Sequence, residues 1–295
     1  KELEPGLNAL FGLEYKRYEN QHAEIYVTES SDRAFEEEVM LSGFANAQTK
    51  AEGQGVSFDV AQETYTARYT HDTIALAFAI TEEAIEDNLY DRISSRYTKA
   101  LARSMSNAKQ VKAVTPLIDG LPSTDGFDSG DGVSLFNTAH TTVSGTSVKN
   151  TLSTQADLNE TSLEQSLIDI AAMTDERGLR IAARGVKMII PSANQFTAER
   201  LMKSQGRTGT ADNDINAIGS MGMIPQGYRV NNYLTDSDSF YIITDVPNGM
   251  KMFQRAPLKT AMEGDFDTGN VRYKARERYS FGVSDYRGIF GVEGA

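Results

Sequence analysis

The 295-residue sequence has no cysteine and no tryptophan, and only three histidines and seven prolines. Without cysteine there is no disulfide framework, no thiolate metal site and no cysteine nucleophile. The histidines, His22, His71 and His140, share no short spacing, which argues against a histidine-based metal centre or catalytic triad. Cations are also in short supply. The 29 Lys plus Arg face 41 Asp plus Glu, a net charge of −12, and a field of that sign repels polyanions in general. The longest apolar run, Ile74 to Ile80, falls far below the roughly 20 residues that a membrane-spanning helix needs. The opening Lys1-Glu2-Leu3-Glu4-Pro5 does not read as a signal peptide. What is present is ordinary for a globular chain: 40% apolar residues before glycine is counted, and length enough for a large core or two domains.

Residues 14–38 form an acidic opening in which Ile25, Val27 and Phe35 are the few apolar anchors. Such a stretch gains little by packing on its own chain, so it is expected to be a solvated arm or a surface helix, or a segment ordered by a neighbour. Around the turn Gly53-Gln54-Gly55 the pattern changes to period two: Val56, Phe58 and Val60, then Tyr65, Ala67 and Tyr69. This predicts a long hairpin over 41–70, too polar to bury both of its faces unaided.

Ile74, Leu76, Phe78 and Ile80 alternate with Ala75, Ala77 and Ala79, the clearest strand in the chain. Thr81 then supplies an N-cap for a long amphipathic helix with its apolar stripe at Ile85, Leu89, Ile93, Tyr97, Leu101, Met105 and Ala108. Its first turns collect acids, and from Arg92 to Ile118 there is no acid at all, the arrangement that a helix dipole favours. About 30 residues at 1.5 Å each span roughly 45 Å, and Pro116 and Gly120 are read as the end. Beyond a turn-rich stretch over 119–150, an α/β-like unit is expected. It has a helix capped at Thr161 or Ser162, a strand at 186–190, and a helix opened by a capping box at 192–195. A long loop over 206–227 and strands at 228–234, 240–244 and 250–253 follow. The chain closes on Val271, Tyr273 and Ala275 alternating with Arg272, Lys274 and Arg276, with Glu277 interrupting the basic row.

Chemistry-bearing motifs are scarce. Asp125, Asp128 and Asp131 lack the alternate spacing of a calcium loop, and Asp212-Asn213-Asp214 reads likewise as a polar turn. No Walker, dinucleotide-binding or nucleophile-elbow motif occurs. His140 near Ser144 reads as a loop histidine, and Glu82 with Glu86 as acids placed for the helix dipole. Arg96, Lys99 and Arg103, three and four apart, share one helix face. The plainer reading is a solvated face pairing with nearby acids, unless the helix lies beside nucleic acid.

The order of parts carries more than any motif: acidic arm, projecting hairpin, strand, very long helix, α/β unit, terminal strand pair. Three runs sharpen it. They are Ile80-Thr81-Glu82-Glu83-Ala84, then Leu135-Phe136-Asn137-Thr138-Ala139-His140, then Asp267-Thr268-Gly269-Asn270-Val271-Arg272-Tyr273 continuing to Asp285-Tyr286-Arg287-Gly288. Over nearly its whole length the chain resembles the major capsid proteins of tailed bacteriophages, the Hong Kong 97-type fold shared with herpesvirus floors and encapsulins. The local likeness is to Mu-like major head subunits.

The resemblance implies an α+β fold with an N-arm (1–30), an extended loop with peripheral-domain strands (31–80) and a peripheral domain with its spine helix (81–124). An axial domain (125–250) and a return to the peripheral domain (251–295) complete it. It implies a structural protein, not an enzyme, that needs no cofactor and no metal and assembles through pentamers and hexamers around double-stranded DNA. It places Phe44, Lys50, Val56 and Phe58 on the inter-subunit loop and turns Arg96, Lys99 and Arg103 toward DNA. Further partners would be portal, scaffold and decoration or cement proteins, with no membrane, in a virion assembled in the host cytoplasm. Some members cross-link a loop lysine to a neighbour's asparagine, for which Lys50 and Asn270 are the candidates, although Mu-like relatives generally do without the bond. Others remove a scaffolding segment, with which a chain lacking an initiator Met is compatible. An encapsulin-like compartment is the same-fold alternative; a hydrolase built on the α/β unit is the alternative of another class, and the missing motifs argue against it.

Overall fold

The computed structural model describes residues 3–86, 90–124, 126–206, 215–265 and 269–295. The first half contains α1 (Leu3–Arg17), β1 (Val27–Ser30), β2 (Phe35–Leu41), β3 (Glu63–Thr70), β4 (Asp72–Ile80), α2 (Glu82–Glu86) and α3 (Tyr90–Asp119). Next come β5 (His140–Thr141), β6 (Ser147–Val148), α4 (Glu160–Ala172), β7 (Gly185–Ile190), α5 (Gln195–Lys203) and α6 (Ala217–Met221). The strands β8 (Tyr228–Val230), β9 (Phe240–Thr244), β10 (Met250–Gly264), β11 (Val271–Val283) and β12 (Ile289–Val292) follow. Contacts group Lys1–Glu36, Tyr69–Ala113 and Met252–Phe281 into one unit, and Glu37–Arg68, Val114–Lys251 and Gly282–Ala295 into a second.

The first unit is a sheet in the order β1-β10-β11-β4 with helices against one side. Antiparallel pairing sets Tyr273 opposite Phe78 and Ala275 opposite Leu76, so the period-two residues of both strands share one face. On that face Tyr273 and Ala275 join Leu7 and Phe11 of α1 and Leu101, Ala102 and Met105 of α3 in one buried cluster, with Ile74, Phe78, Leu258 and Met262 packed on it. The start of the chain is therefore anchored on its own unit, and of the alternatives for the acidic stretch the solvated arm does not describe its first part, where α1 runs to Arg17. Leu7 and Phe11 lie upstream of the acidic stretch, and Ile25 and Tyr26 are buried within it.

Polar ties reinforce the docking. The Tyr26 hydroxyl donates to the Ala113 carbonyl at 2.7 Å. The Gln110 carbonyl oxygen accepts the His22 backbone N–H at 2.9 Å, and Lys112 Nζ pairs with Asp72 at 2.5 Å.

The second unit is built on the sheet β12-β9-β7-β8, in which β8 runs parallel to β7 while β9 is antiparallel to β7 and β12 to β9. Helix α4 lies directly on it: a Cβ at Gly185 would sit 2.9 Å from Ile242 and 3.0 Å from Leu167, so only glycine lets helix and sheet approach this far. The closing stretch, expected as a single return segment over 251–295, divides. Residues 282–295 belong to the second unit because β12 pairs with β9.

Several local expectations are corrected. The spine helix runs through Pro116 to Asp119; a proline within the last turn forfeits one N–H bond without ending the helix. Residues 87–89 of the expected continuous helix lie outside the described residues. The cap of α4 is Asn159, whose side chain accepts from Ser162 N–H while the Ser162 hydroxyl accepts from Asn159 N–H. The Ser192–Gln195 box does not form: 192–194 is a 3-10 turn and Asn194 caps without a side-chain bond. Within the expected loop over 206–227, α6 is helical, and 207–214, including Asp212-Asn213-Asp214, lie outside the described residues, as does Asp125.

Candidate assembly interface

β2 and β3 pair as the two-stranded base of the hairpin. Above the base, Ser42 and Gln62 exchange backbone and side-chain hydrogen bonds at 2.8 and 2.9 Å. The Asp59 carboxylate then clasps the two limbs, accepting Ala45 N–H at 2.7 Å and its neighbour Val60 N–H at 2.8 Å. Those two backbone donors hold the Asp59 carboxyl below its ordinary value. The Val60 carbonyl accepts from Arg177 at 2.8 Å.

Beyond this clasp the chain has no strand. Val56, Phe58 and Val60, expected in a strand, have no ladder partner, because a period-two segment needs a second backbone to pair with.

The apolar side chains of this loop face water. Phe58 is 97% exposed, Val60 73%, Val56 70% and Phe44 60%; Lys50 at the tip is exposed as well. At its base, Phe35, Val39 and Leu41 of β2 are exposed too. Single exposed apolar residues are commonplace, but a contiguous set on one projecting segment marks an interaction surface. Asn270, the other candidate for a cross-link, is half-buried, and its carbonyl accepts from Asp265 N–H at 2.8 Å.

On α3 the three basic residues Arg96, Lys99 and Arg103 are exposed, as their spacing predicts. Lys99 and Arg103 line an open groove of about 560 Å³ against Glu14 and Tyr18 of the α1 segment. Glu14 is engaged by Tyr18 at 3.3 Å and Arg17 at 3.6 Å. Among the described residues, no ion pair holds Arg96, Lys99 or Arg103, so the pairing with nearby acids does not occur there.

Lys109 on the same helix behaves differently. It is buried, 3.1 Å from Glu277 and 5.0 Å above the Tyr279 ring. Burial pushes the Glu277 carboxyl above its usual value, against the opposing pull of Lys109.

His140, whose sequence position predicts a loop histidine, is fully buried on β5. Its Nδ1 lies 2.6 Å from Asp131 and its Nε2 3.1 Å from the Asn150 side-chain oxygen. The imidazole stacks on the Tyr286 ring at 3.8 Å, and the Arg287 guanidinium lies 4.4 Å from that ring's centre. Arg287 binds Glu176, Asp285 and the Thr174 carbonyl. Burial raises the Asp285 carboxyl, partly offset by Arg287. Ser144 is not part of a histidine pair: its hydroxyl contacts Thr142 and Thr146, each at 2.9 Å. This arrangement positions loops and presents no nucleophile. Among the described residues no group of acidic or histidine side chains is arranged to hold a metal ion, and no helix is long and apolar enough to cross a membrane.

The chain is an α+β protein whose β2–β3 hairpin exposes a set of apolar side chains, the surface of a protein that meets other chains. A family model for phage capsid protein matches residues 64–292, and the chain belongs to that family. No curated protein matches it. Among solved structures it is similar to the virus-like particle from Pyrococcus furiosus, at 8% identity and TM-score 0.57, covering 99% of this chain and 100% of that one. It is similar to the capsid of the empty GTA particle, at 14% identity and TM-score 0.59, covering 92% and 89%. It is also similar to the capsid of Myoviridae phage XM1, at 11% identity and TM-score 0.54, covering 92% and 90%. The fold is thus the Hong Kong 97-type capsid fold, and the chain is a phage capsid protein, a structural part of the virion capsid.

Proposed function

We propose that the chain assembles through pentamers and hexamers into an icosahedral shell around double-stranded phage DNA, built in the host cytoplasm. The observation that carries this reading is the hairpin tip. Phe44, Val56, Phe58 and Val60 lie in water on a segment clasped only at its base, and burial against another copy removes that cost. Fully burying one such side chain contributes about 1.5–3 kcal/mol. A heterologous contact that closes on itself repeats this around every capsomer. In this reading 1–30 is the N-arm, 31–80 the loop and peripheral strands, 81–124 the spine region and 125–250 the axial domain. Residues 251–281 return to the peripheral domain, and 282–295 go with the axial sheet through β12.

Arg96, Lys99 and Arg103 would meet packaged DNA without sequence preference, through phosphates. Portal, scaffold and decoration or cement proteins are the other expected partners, and no catalytic role is assigned. Lys50 and Asn270 remain the pair to examine for a covalent bond, which denaturing electrophoresis of particles would reveal as a ladder.

An encapsulin-like compartment is the second reading, favoured by the full-length likeness to the virus-like particle. Negative-stain microscopy of particles from infected cells, followed by nuclease treatment, separates the two. Closed particles that protect genome-length DNA support the phage shell; closed particles holding only protein cargo support the compartment; a protein that stays monomeric contradicts both.

A further inference from the structure

The contacts of Val60 differ in kind from the others that hold the hairpin. Its N–H donates to the Asp59 carboxylate at 2.8 Å, and its carbonyl accepts from the Arg177 guanidinium at 2.8 Å. Both backbone groups of Val60 are thus engaged by side chains, in place of the ladder partner that a strand would supply. Asp59 also accepts the Ala45 N–H at 2.7 Å, 14 positions away in the chain. One carboxylate therefore ties limb to limb, and one guanidinium ties the pair to the rest of the second unit. The Ala45 and Val60 N–H groups, and to a lesser degree the Arg177 charge, hold the Asp59 carboxyl below its ordinary value.

Arg177 stands in a tight turn that is fixed on both of its sides. Thr174 and Arg180 bridge across the base of the turn, and Asp175 N–H donates to the Leu179 carbonyl at 2.8 Å. The Asp175 carboxylate accepts Arg177 N–H at 2.9 Å and Leu179 N–H at 2.8 Å. Gly178 supplies the left-handed residue that closes the turn, at φ 83°. Next to Arg177, Glu176 is buried, with its carboxylate on Arg287 and on Val143 N–H at 3.2 Å. Its carbonyl accepts Ser144 N–H at 3.0 Å, and Arg287 Nε donates to the Thr174 carbonyl at 2.9 Å. The backbone from which Arg177 reaches out thus belongs to the buried frame of the second unit. The segment that it reaches is exposed at every position from 51 to 60.

A loop without a ladder keeps two soft dihedrals per residue, so its direction is set by what holds its root. Ser42 and Gln62 tie one limb to the other. A tie to a body outside the hairpin does something different: it fixes a direction. The ordering cost of docking then falls on folding and not on association.

We infer that the turn over 174–180 is a buttress for the loop, and that Arg177, acting through Val60 and Asp59, is the positioning residue that presents Phe44, Val56 and Phe58 at one angle. This rests on the shell reading and adds the device that sets the loop before copies meet. A turn that served only the surface of its own unit would leave the loop indifferent to Arg177.

The test compares wild type, R177A, D59A, R177A/D59A and R180A, the last removing an exposed cation of the same turn as the control for charge. Hydrogen exchange by mass spectrometry on the unassembled protein reads peptides that contain Ala45 and Val60, the thermal midpoint reads the fold, and sedimentation reads the concentration at which particles form. A hydrogen bond is worth a factor of about 2–10 in an equilibrium constant. R177A is therefore expected to speed exchange at those peptides by about that factor with the midpoint unchanged. It is expected to raise the assembly concentration at least as much, since every copy of a repeated contact carries the loss. D59A, at an exposed position, acts on the same tie from the hairpin side and decides the matter should R177A lower the midpoint. The double variant should exchange little faster than the faster single variant, and R180A should match wild type. Wild-type exchange in both single variants overturns the inference, as do additive effects in the double variant. So does faster exchange with assembly at the wild-type concentration, which leaves the buttress no part in assembly. A wild-type chain that forms no particles contradicts the shell reading and the use assigned to the buttress, while exchange still decides whether Arg177 holds the loop.

Discussion

Lys109 and Glu277 show at single-residue resolution why the spine helix stays on its sheet. Their 3.1 Å pair is almost wholly buried, and removing one partner leaves the other charge without compensation. K109M is expected to destabilise the protein by about 3–5 kcal/mol, whereas K109M/E277L recovers most of that loss, since an apolar pair of similar volume replaces a buried ion pair at little cost. Urea denaturation of the two variants checks this. Arg287 is a similar case, with its guanidinium shared among Glu176, Asp285 and the Thr174 carbonyl. R287K keeps the charge and loses the planar fork, so a clear drop in the thermal midpoint is the expected outcome. Phe58 is the opposite case. F58S should leave unassembled stability within about 0.5 kcal/mol, as exposed positions do, while greatly reducing particle formation measured by sedimentation.

At the scale of elements, the attachment of the N-terminal segment to α3 is sensitive to acid. Gln110 uses its carbonyl oxygen on the His22 backbone, so its amide donates to His22 Nδ1 at 2.9 Å, which requires an unprotonated nitrogen. Burial, and then the Lys109 charge, depress the His22 pKa from 6.5 to about 4. A histidine whose folded pKa is depressed costs nothing while both states are neutral. Below about pH 6.5 the unfolded chain binds a proton that the folded chain refuses until about pH 4. Stability should therefore fall across that window, by an amount on the order of 3 kcal/mol from this group. H22Q should flatten the dependence; an unchanged pH profile would contradict the assignment.

Legibility also divides by element. β4 and β11 were readable because one side of each is packed by helices, so period two survives in the sequence. β12 was not, since Ile289-Phe290-Gly291-Val292 is buried throughout and a short run buried on both faces has no period. The His140 cluster was illegible because residues 131, 140, 150 and 286 meet only after folding. The loop positions Phe44, Val56 and Phe58 were legible as apolar residues, but their lack of a partner within the chain is a structural fact. The direction of Glu277 decided whether the basic row was continuous, and no sequence pattern reports a charged residue that pairs inward.

For the whole molecule, the early absences acquire a physical sense. A shell subunit requires no thiolate, no histidine cluster and no metal, and a net charge of −12 limits general adhesion to the polyanion it would enclose. Against that acidic background the exposed cations of α3 (Arg96, Lys99, Arg103) and of β11 (Arg272, Lys274, Arg276) form two local basic rows. The central claim is that the free energy of function lies between copies, and sedimentation velocity of the purified chain tests it most directly. Large closed particles that fall apart when Phe58 is replaced by serine are the predicted result; a wild-type protein that remains a monomer at every concentration and ionic strength would contradict the account.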